Sequence, residues 1–488
     1  MTRKLLSLLI AVACLRPDVV SAEDSPETKA YSALSLQSCI ELALKNHQSL
    51  RVSDAALAMA EAQYKQAMSA YWPRIAIEAN AQRTDQDRTF TMQGQFDLPP
   101  ELGGALTKAA ELADPRYTQA LQAGLAKPIS SIPMNMDVKL MDRDTLLSSV
   151  NLTYPLFTGG KITALAEQAQ KGVGIAEQGQ RKTELEVIRD VKKYYYGAQF
   201  ALQMEDLANI TLERFKVLEE LTERLYQNGS LKVKKTDYLR TRTTTAITRS
   251  MLEEAHYARA MAHEALANAM GLDWHNNISL ASDQAITELP ADLAQLVETA
   301  QQFNPDIQQL RLALEASEAK ITEAQSGYYP VIGFQASAYS LQSDFNKGLS
   351  NTANRDGWTL GLGLKWNLFD GFETAAKVSY AENLQKQLTS QQILLDQGMA
   401  LQIKQEFLRL GSTSRQIEAT ADAARFAEEN QKLHLRAYQQ EMMETKDVIE
   451  AQIVETFARS ALHRSRYALA MAMSSLEYLV GSNIQALK

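Results

Sequence analysis

Twice along this chain, the hydrophobic pattern changes from the period of a helix to the period of a strand. Apolar residues first recur at helical spacing, from Leu36 to about Tyr71 and again from Leu293 to about Tyr328. A proline follows two residues after each tyrosine, and because the residue before a proline avoids helical geometry, both helical patterns end there. Apolar and polar residues then alternate, which is typical of strands with one apolar face.

Four segments alternate in this way, and we predict strands at about residues 73–84, 146–157, 330–340 and 357–369. Each combines one apolar face with one polar or small-residue face, which is the pattern of a membrane β-barrel with a wet interior. The region between the first two strands, 85–145, accounts for most of a 45-residue excess over the second copy. Because proline and glycine recur in it, we expect a long extracellular loop without regular structure.

Two long helices follow the strand pairs. Thr158 is a suitable N-cap for the first, and Asp370 with Glu373 predicts a capping box for the second. If continuous, each helix is on the order of 100 Å long. The reversals lie near Asn228-Gly229 and near Glu441, and the antiparallel helices that return from them span Asp237–Gly271 and Asp447–Gly481.

These elements belong to one unit that occurs twice. Residues 36–73 align without a gap on residues 293–330, and the offset falls from 257 to 212 after the strands and to 210 after the reversals. An internal repeat of this length indicates one extended body. The predicted organisation is a signal peptide (1–22), a first repeat (23–272), a connector (273–291) and a second repeat (292–488).

The N-terminal sequence predicts an export signal, and the charge argues against one class of partner. A net charge of −8 with scattered Lys and Arg argues against nucleic-acid binding. Basic residues followed by a short apolar run form the export signal, and cleavage after Ala22 is favoured over lipoprotein processing at Cys14, whose flanking pattern is imperfect. Cys39 is the remaining internal thiol, so no intrachain disulfide is expected.

The predicted fold is mainly α with a membrane β part, and the β part requires other chains. Two strand pairs supply four strands, which are too few to close into a barrel, and open strand edges are not tolerated in lipid. Other copies of the chain must therefore complete the strands, so the sequence predicts an oligomer. The alternative from another class is a soluble periplasmic coiled-coil scaffold, against which the alternating strands argue.

Several motifs in a fixed order resemble the TolC family of outer-membrane efflux proteins. Two of them occur in both copies, Tyr-x-Pro at Tyr71 and Tyr328 and Leu-Phe-x-Gly at Leu156 and Leu368. The others are x-Asp-x-Leu around Asp237 and an Asn-Pro signature within Ala300–Ile307, of which the first copy keeps only the outline, with Gln48 in place of the proline. The resemblance implies a homotrimer whose twelve strands form an outer-membrane barrel in lipid and whose twelve helices form a periplasmic tunnel. It also implies docking on an adaptor (membrane fusion protein) and an inner-membrane pump, in a tripartite efflux pump or a type I secretion system.

The resemblance further implies a passive conduit that is gated at its periplasmic helix reversals. Thr236 and Asp237 keep the family's Thr-Asp pair and Tyr438 keeps its tyrosine, so a link from Tyr438 to Asp237 is expected. A second link cannot form, since Glu441 and Met443 replace the glycine and the arginine of some members.

Two acidic residues match positions at which the family narrows its tunnel. Asp447 and Glu450 are three residues apart and share a helix face. In a trimer they would form a ring of carboxylates that binds cations, and the simpler alternative is a solvated helix face. Three lysines at the first reversal could pair with two glutamates at the second: Lys232, Lys234 and Lys235 with Glu441 and Glu444. Exposed pairs contribute only about 0–1 kcal/mol, so the alternative is that these charges only keep the surface soluble.

The remaining candidate residues concern docking and the membrane interface. The resemblance places adaptor docking at Tyr226, Gly229, Leu231, Glu441 and Met443. Aromatic residues at strand ends or on apolar strand faces are candidates for the membrane-interface girdle: Tyr71, Trp72, Tyr328, Tyr329, Trp358 and Trp366. His256 and His263 have no third metal ligand beside them in the sequence, and no nucleophile, base and orienting group come together, so neither a cofactor nor an enzyme is predicted.

Overall fold

The structure of the protein, a computed structural model, describes residues 30–97, 131–273, 277–281, 292–343 and 355–482, and also residues 99, 101, 102, 105 and 108. The predicted signal peptide with both cleavage sites, and parts of the predicted loop and connector, lie outside the described residues. Most of the described residues are helical. The chain forms two compact units, a strand unit (Ala60–Val173 and Ala313–Gln387) and a helical unit (Met1–Met59, Gly174–Leu312 and Leu388–Lys488).

The two repeats have matching elements. The first contains α1 (Leu36–Asn46), α2 (Gln48–Met68), β2 (Arg74–Arg83), β3 (Arg88–Asp97), β4 (Ser131–Met141), β5 (Asp144–Phe157), α3 (Lys161–Gln227) and α4 (Lys235–Ala269). The second contains α5 (Leu293–Phe303), α6 (Pro305–Gln325), β7 (Val331–Ser343), β8 (Asp356–Lys365), α7 (Glu373–Gln439) and α8 (Thr445–Val480). A short parallel pair, β1 (Ala30–Leu34) and β6 (Asn277–Leu280), links the start of the described chain to the connector. No helix in these ranges is both long and apolar enough to cross a membrane.

Each helix predicted before a strand pair is in fact broken once. Asn304 has extended backbone, since it precedes Pro305, and its Oδ1 accepts a hydrogen bond from the Asp306 backbone N–H at 2.9 Å. His47 takes the same conformation with no proline after it, and its Nδ1 accepts the Ser49 backbone N–H at 3.3 Å. Side-chain capping of the next helix is therefore the feature that the two breaks share.

The start of the second long helix also differs from the prediction. Asp370 accepts hydrogen bonds from the Thr374 hydroxyl and backbone N–H, which lower the pKa of its carboxyl. Glu373 pairs with Lys377 at 2.5 Å. The Asp370 carboxylate also accepts the Glu373 backbone N–H, which is one half of the expected capping box. The reciprocal half is wrong, because the Glu373 carboxylate pairs with Lys377.

Within the strand unit, β2, β5, β7 and β8 form one antiparallel sheet in that order. Because the strands are in register, rows of residues cross the whole sheet, and successive rows face opposite sides. Apolar rows are Ile75, Leu152, Ala336 and Leu360, and Ile77, Val150, Ala338 and Trp358; the row between them is Ala76, Asn151, Ser337 and Thr359. The sheet thus has one apolar and one polar face, and in the described chain β2 and β8 are its unpaired edges.

The ribbon of β3 and β4 corrects the expectation that residues 85–145 lack regular structure. The two strands pair antiparallel from Arg88–Met141 to Asp97–Ser131. The pairing is favoured because β3 contains the strand formers Thr89, Phe90 and Thr91, and polar residues alternate along it with Phe90 and Met92. Pro133 is tolerated since a two-stranded ribbon leaves one side of each strand free of hydrogen bonds.

The helical unit has two similar hydrophobic clusters, one in each repeat. The first surrounds Cys39, Tyr195 and Leu266, and the second surrounds Ile307, Ile403 and Leu476. Burial raises the pKa of the Cys39 thiol to about 11.

Glycine ends the short helix of each hairpin in the same way. Gly271 and Gly481 have left-handed backbones (φ +68° and +75°). A Cβ on Gly271 would meet the Asn46 carbonyl carbon at 2.8 Å, and one on Gly481 would meet the Phe303 carbonyl oxygen at 2.6 Å. Both helix ends therefore lie against the break in the preceding helix pair of their own repeat.

Candidate functional site

The helix reversals form two tips, which we call the first tip (residues 228–234) and the second tip (residues 440–444). Gly229 and Glu441 occupy the same repeat position, and both have left-handed backbones, with φ +73° and +56°. The following N–H groups bond back into the helix, from Ser230 to Leu225 at 3.1 Å and from Met442 to Ala437 at 2.9 Å. The loss of glycine in the second repeat therefore leaves the turn unchanged.

Hydrogen bonds join the two tips of one chain. The Ser230 hydroxyl donates to the Glu441 carboxylate at 2.9 Å, and the Lys232 ammonium donates to the Glu441 backbone carbonyl at 2.5 Å. Glu444 pairs with Lys446 at 3.3 Å, and this hydrogen bond raises the pKa of the lysine. Lys232 therefore contacts a backbone carbonyl of the second tip and not one of the expected carboxylates.

The expected link from Tyr438 to Asp237 does not form within the chain. Tyr438 is 1% exposed, and its hydroxyl lies 2.9 Å from the Thr222 hydroxyl and 3.0 Å from the Thr445 hydroxyl. Asp237 instead accepts the Lys234 backbone N–H at 2.9 Å and so caps α4. A buried tyrosine whose hydroxyl has two partners has no free surface to offer to Asp237, so the direct link is wrong for the chain in this conformation.

The other predicted gate residues lie on the surface of their helices. Thr236 and Glu450 are exposed and Asp447 is half-buried. Asp447 and Glu450 lie in the first turns of α8, three residues apart. One chain contributes two such carboxylates, so a ring requires further copies.

The predicted docking residues have different environments. Leu231 is 98% exposed, Gly229 has open space around its Cα, and Tyr226 stacks on Tyr238 with ring centroids 6.4 Å apart. Met443 instead packs against the buried cluster of Phe215, Leu218, Tyr438, Val448 and Ile449. Met442, which is 73% exposed, was missed by the sequence analysis, although it directly follows a left-handed residue at the reversal.

Sequence analysis also missed a buried ion pair between the hairpins. Glu455 of α8 is 1% exposed; it contacts Arg214 of α3, accepts from Gln452 at 2.9 Å, and lies 3.4 Å from Arg459. The Thr211 and Thr456 hydroxyls lie 3.1 Å apart beside it. A carboxylate at a buried position of a helical seam was the available signal, since such residues are rarely buried without a partner.

The two histidines of α4 are not close partners in a metal site. His256 and Arg259 both contact Glu205, at 3.3 and 2.9 Å. His263 hydrogen-bonds the backbone at Ile278, and burial together with Arg259 lowers its pKa. The described residues contain no group of three or more His, Cys, Asp or Glu side chains placed to hold a metal ion.

The predicted aromatic residues all lie on the surface of the strand unit. Each lies at or near one end of a strand, and the set consists of Tyr71, Trp72, Tyr328, Tyr329, Trp358 and Trp366. The Trp366 indole N–H donates to the Tyr328 carbonyl at 3.1 Å. Tyr329 lies against Gly159, where a Cβ would come within 2.7 Å of the tyrosine Cβ. One tryptophan and one tyrosine are thus fixed by contacts while their rings stay exposed.

Comparisons with known proteins agree with this architecture. A family model described as outer membrane efflux protein matches residues 129–272 and 296–482. The probable efflux pump outer membrane protein TtgC of Pseudomonas putida is 25% identical over 235 residues, 47% of this chain and 46% of TtgC. Crystal structures of CusC are similar with a TM-score of 0.71 at 18% identity, over 95% of this chain and 96% of that one.

A second solved structure gives the same result. The outer membrane protein VceC of Vibrio cholerae has a TM-score of 0.70 at 17% identity, over 92% of this chain and 96% of that one. At these identities the two structures establish the fold alone. This chain spans about half the length of the curated relatives it matches.

Proposed function

The chain belongs to the outer membrane efflux protein family, and we propose that it is the outer-membrane channel of a tripartite efflux pump. In this role it acts as a homotrimer, with a periplasmic adaptor and an inner-membrane pump as partners. The sheet spans the outer membrane, and the helical unit lies in the periplasm. The channel itself is a passive conduit, and the partner in the inner membrane supplies the energy.

The observation that supports this proposal most is the sheet. Its apolar face continues across all four strands, with exposed Ile77, Leu360, Leu362 and Leu364. Such a face is stable against lipid and costly in water. In lipid an unpaired backbone group costs several kcal/mol, so β2 and β8 need partner strands. Antiparallel pairing of β8 with β2 of the next copy supplies them, which gives twelve strands for three copies.

The opposite face of the sheet suits a water-filled pore. It presents Arg74, Glu78 and Lys365, and the Ser337 hydroxyl donates to Asn151 Oδ1 at 2.7 Å between neighbouring strands. Charged and amide side chains on the inner face of a barrel stay solvated and set its selectivity. In a soluble scaffold another layer of the protein would have to cover the apolar face, whereas Ile77, Leu360 and Leu362 are exposed here.

The decisive experiment compares extraction and conductance. The purified protein is expected to leave the outer-membrane fraction only with detergent, to run as an SDS-resistant trimer that heat dissociates, and to give single-channel currents in planar bilayers. Release without detergent as a monomer that gives no currents would instead support the soluble coiled-coil scaffold.

We place adaptor docking at the tips, around Tyr226, Gly229, Leu231, Glu441 and Met443. A Cβ at Gly229 would meet no atom within 4 Å, and the same turn tolerates Glu441 in the second repeat. Gly229→Trp should therefore abolish transport while the trimer still assembles, whereas Gly229→Ala, which has the same backbone strain without the bulk, should retain it. Equal activity of the two variants would exclude docking at this position.

The gate in this proposal is the ring of Asp447 and Glu450 from three copies. Six carboxylates at one narrow point attract cations and repel anions. Asp447→Asn combined with Glu450→Gln should lower the cation preference of the reconstituted channel, which reversal potentials measure. An unchanged preference would leave both residues as a solvated helix face.

A further inference from the structure

An exposed apolar surface continues beyond the end of β8. The outward leucines of the strand, of which Leu364 is the last, are followed by Trp366 and then by three more exposed apolar residues. These three are Leu368, Phe369 and Phe372, with exposed fractions of 81%, 76% and 73%. They precede α7, and we call them the rim patch.

Phe372 has an unusual backbone conformation for its residue type. Its φ of +68° lies in the left-handed region, where its repeat equivalent Gly160 also lies, with φ +85°. A bulky side chain in this region costs free energy that glycine does not. The Phe372 ring contacts Phe369 edge-on, with ring centroids 5.5 Å apart, yet most of it is exposed. Packing within the chain therefore does not account for the strain, and strained residues of this kind point to a function.

The first repeat shows how much of the rim patch a neighbouring strand would cover. β5 is paired on both sides, by β2 and β7, whereas β8 is paired only by β7 in the described chain. Leu156 and Phe157, the equivalents of the first two rim-patch residues, are still 52% and 44% exposed. The nearest atom that a Cβ on Gly160 would meet is Thr322 Cγ2, at an ordinary contact distance of 3.9 Å. Completing the sheet therefore leaves the rim patch largely open.

The sheet register shows on which face these residues lie. Phe157 pairs with Ile332, and Ile332 pairs with Leu364, so the three form one row across the sheet. This row belongs to the apolar face, because Leu364 and Leu360 are four residues apart on β8 and alternate residues of a strand share a face. Through the repeat, Phe369 takes the side that Phe157 takes. The rim patch is thus an extension of the apolar face.

We propose that the rim patch inserts among the phospholipids of the inner leaflet of the outer membrane. This inference rests on the proposed function, which places the sheet in lipid. Trp358 and Trp366 are eight residues apart. Eight residues span about 26 Å along a strand, and about 20 Å across a membrane when the strand is tilted by about 40°. Membrane barrels present an apolar band about 25 Å tall, so the rim patch supplies the missing height of about 5 Å.

The surroundings of the rim patch suit the boundary between acyl chains and headgroups. Asp370 lies between the two phenylalanines in sequence, and it is held in place by the Thr374 backbone N–H at 3.0 Å. Phenylalanine rings can contact acyl chains while this carboxylate stays among the polar headgroups. Apolar side chains that reach past the end of a spanning segment adapt it to a thicker bilayer.

Spin labelling in bilayers tests the location directly. Phe372→Cys, Leu362→Cys and Leu231→Cys are each spin-labelled in the full-length channel in phospholipid bilayers, and collisions with oxygen and with a water-soluble nickel complex are measured. Leu362 in the middle of β8 is the lipid reference, and Leu231 at the first tip, which is 98% exposed, is the water reference. Cys39 gives little background, because a buried thiol with a raised pKa is a poor nucleophile.

The ratio of the two collision rates separates the possible outcomes. At residue 372 the ratio of oxygen to nickel collisions is expected to be several times that at residue 231. A ratio equal to that of the water reference, or few collisions with both reagents as for a position covered by another chain, would overturn the proposal. If the label at residue 362 also gives the ratio of water, the proposed function itself fails.

A pair of variants tests whether the ring adapts the channel to bilayer thickness. Phe372→Leu keeps an apolar side chain, whereas Phe372→Asn tolerates the left-handed backbone and removes the apolar surface. The midpoint of thermal trimer dissociation is measured in bilayers of increasing acyl-chain length. Phe372→Asn should have its maximum at a shorter chain length than the wild type, and Phe372→Leu should not. The same maximum for all three proteins would contradict the proposal.

Discussion

Tyr226 and Tyr438 occupy the same position in the two repeats but have opposite environments. Tyr438 is 1% exposed and its hydroxyl lies between two threonines of the tip core, whereas Tyr226 is 40% exposed and stacks on Tyr238. Helix lengths and turn conformations agree between the tips. The difference therefore does not come from local structure.

The neighbouring helix explains the difference. The second tip lies against α3, which contributes Phe215 and Leu218 to the cluster around Tyr438. The first tip has no equivalent neighbour among the described residues of its own chain. At the other end of the hairpins each repeat supplies its own partner, and there Gly271 and Gly481 have the same backbone and the same kind of close contact. The repeats are thus alike where each packs against its own helices, and they differ at the tips, where the second repeat packs against the first.

The largest expected difference between the tips comes from the buried ion pair. Arg214→Met leaves the Glu455 carboxylate buried with weaker partners, which should cost about 3–5 kcal/mol. Phe426→Met, the same replacement at the equivalent position, changes one apolar side chain for another and should cost less than about 1.5 kcal/mol. Hydrogen exchange of residues 451–459 in the assembled protein measures the first loss, and that of the helix around residue 426 measures the second. Equal losses would mean that the buried ion pair adds no stability of its own.

The glycine ends should instead respond equally. Gly271→Ala and Gly481→Ala each force a Cβ into a left-handed residue, at about 1–2 kcal/mol, and the close carbonyl of the preceding helix break adds to this. Each should lower the thermal unfolding midpoint by a similar amount in differential scanning calorimetry. A harmless change at one glycine only would show that the repeats already differ at this end.

A smaller effect is expected at the tyrosines. Tyr438→Phe removes a hydroxyl that has two partners and should cost about 1 kcal/mol, whereas Tyr226→Phe should be close to neutral. Resistance of the tips to trypsin in the purified trimer measures both. An equal loss from Asp237→Asn, which keeps the helix cap, would restore the direct link between Tyr438 and Asp237 that the sequence suggested.

The smallest effect concerns pH. Burial lowers the pKa of His263 below its ordinary value of 6.5, so the unfolded chain binds its proton more tightly. The stability due to neutral His263 is therefore complete above about pH 6.5 and is lost as the pH falls from there through the folded-state pKa. His263→Met, which copies Met473 of the second repeat, should flatten this part of the profile of unfolding midpoint against pH. An unchanged slope would assign the acid sensitivity to another group.

Sequence patterns predicted the strands of the sheet and the family. The period-two alternation located the four sheet strands close to β2, β5, β7 and β8, and the resemblance of paired motifs identified the family. The breaks at His47 and Asn304 were missed, because the hydrophobic period continues through them while the capping side chains end the helix.

The environments of the tips could not be predicted from the pattern. Tyr438, Met443 and Glu455 lie on helices whose local sequence allows either exposure or burial, and the choice depends on which helix lies beside them. The resemblance therefore assigned the family's Tyr-Asp link to Tyr438. In the structure, the packing of α8 on α3 buries this tyrosine. Tertiary neighbours are the information that a single sequence lacks.

In the proposed trimer, another copy covers the face of α4 that is open in a single chain. Maleimide labelling of Ala246→Cys in the native trimer measures this cover, with Asn228→Cys at the exposed first tip as the reference. Ala246→Cys is expected to react at least about tenfold more slowly, because labelling then requires local opening of the contact between copies. Equal labelling rates in a verified trimer would contradict it.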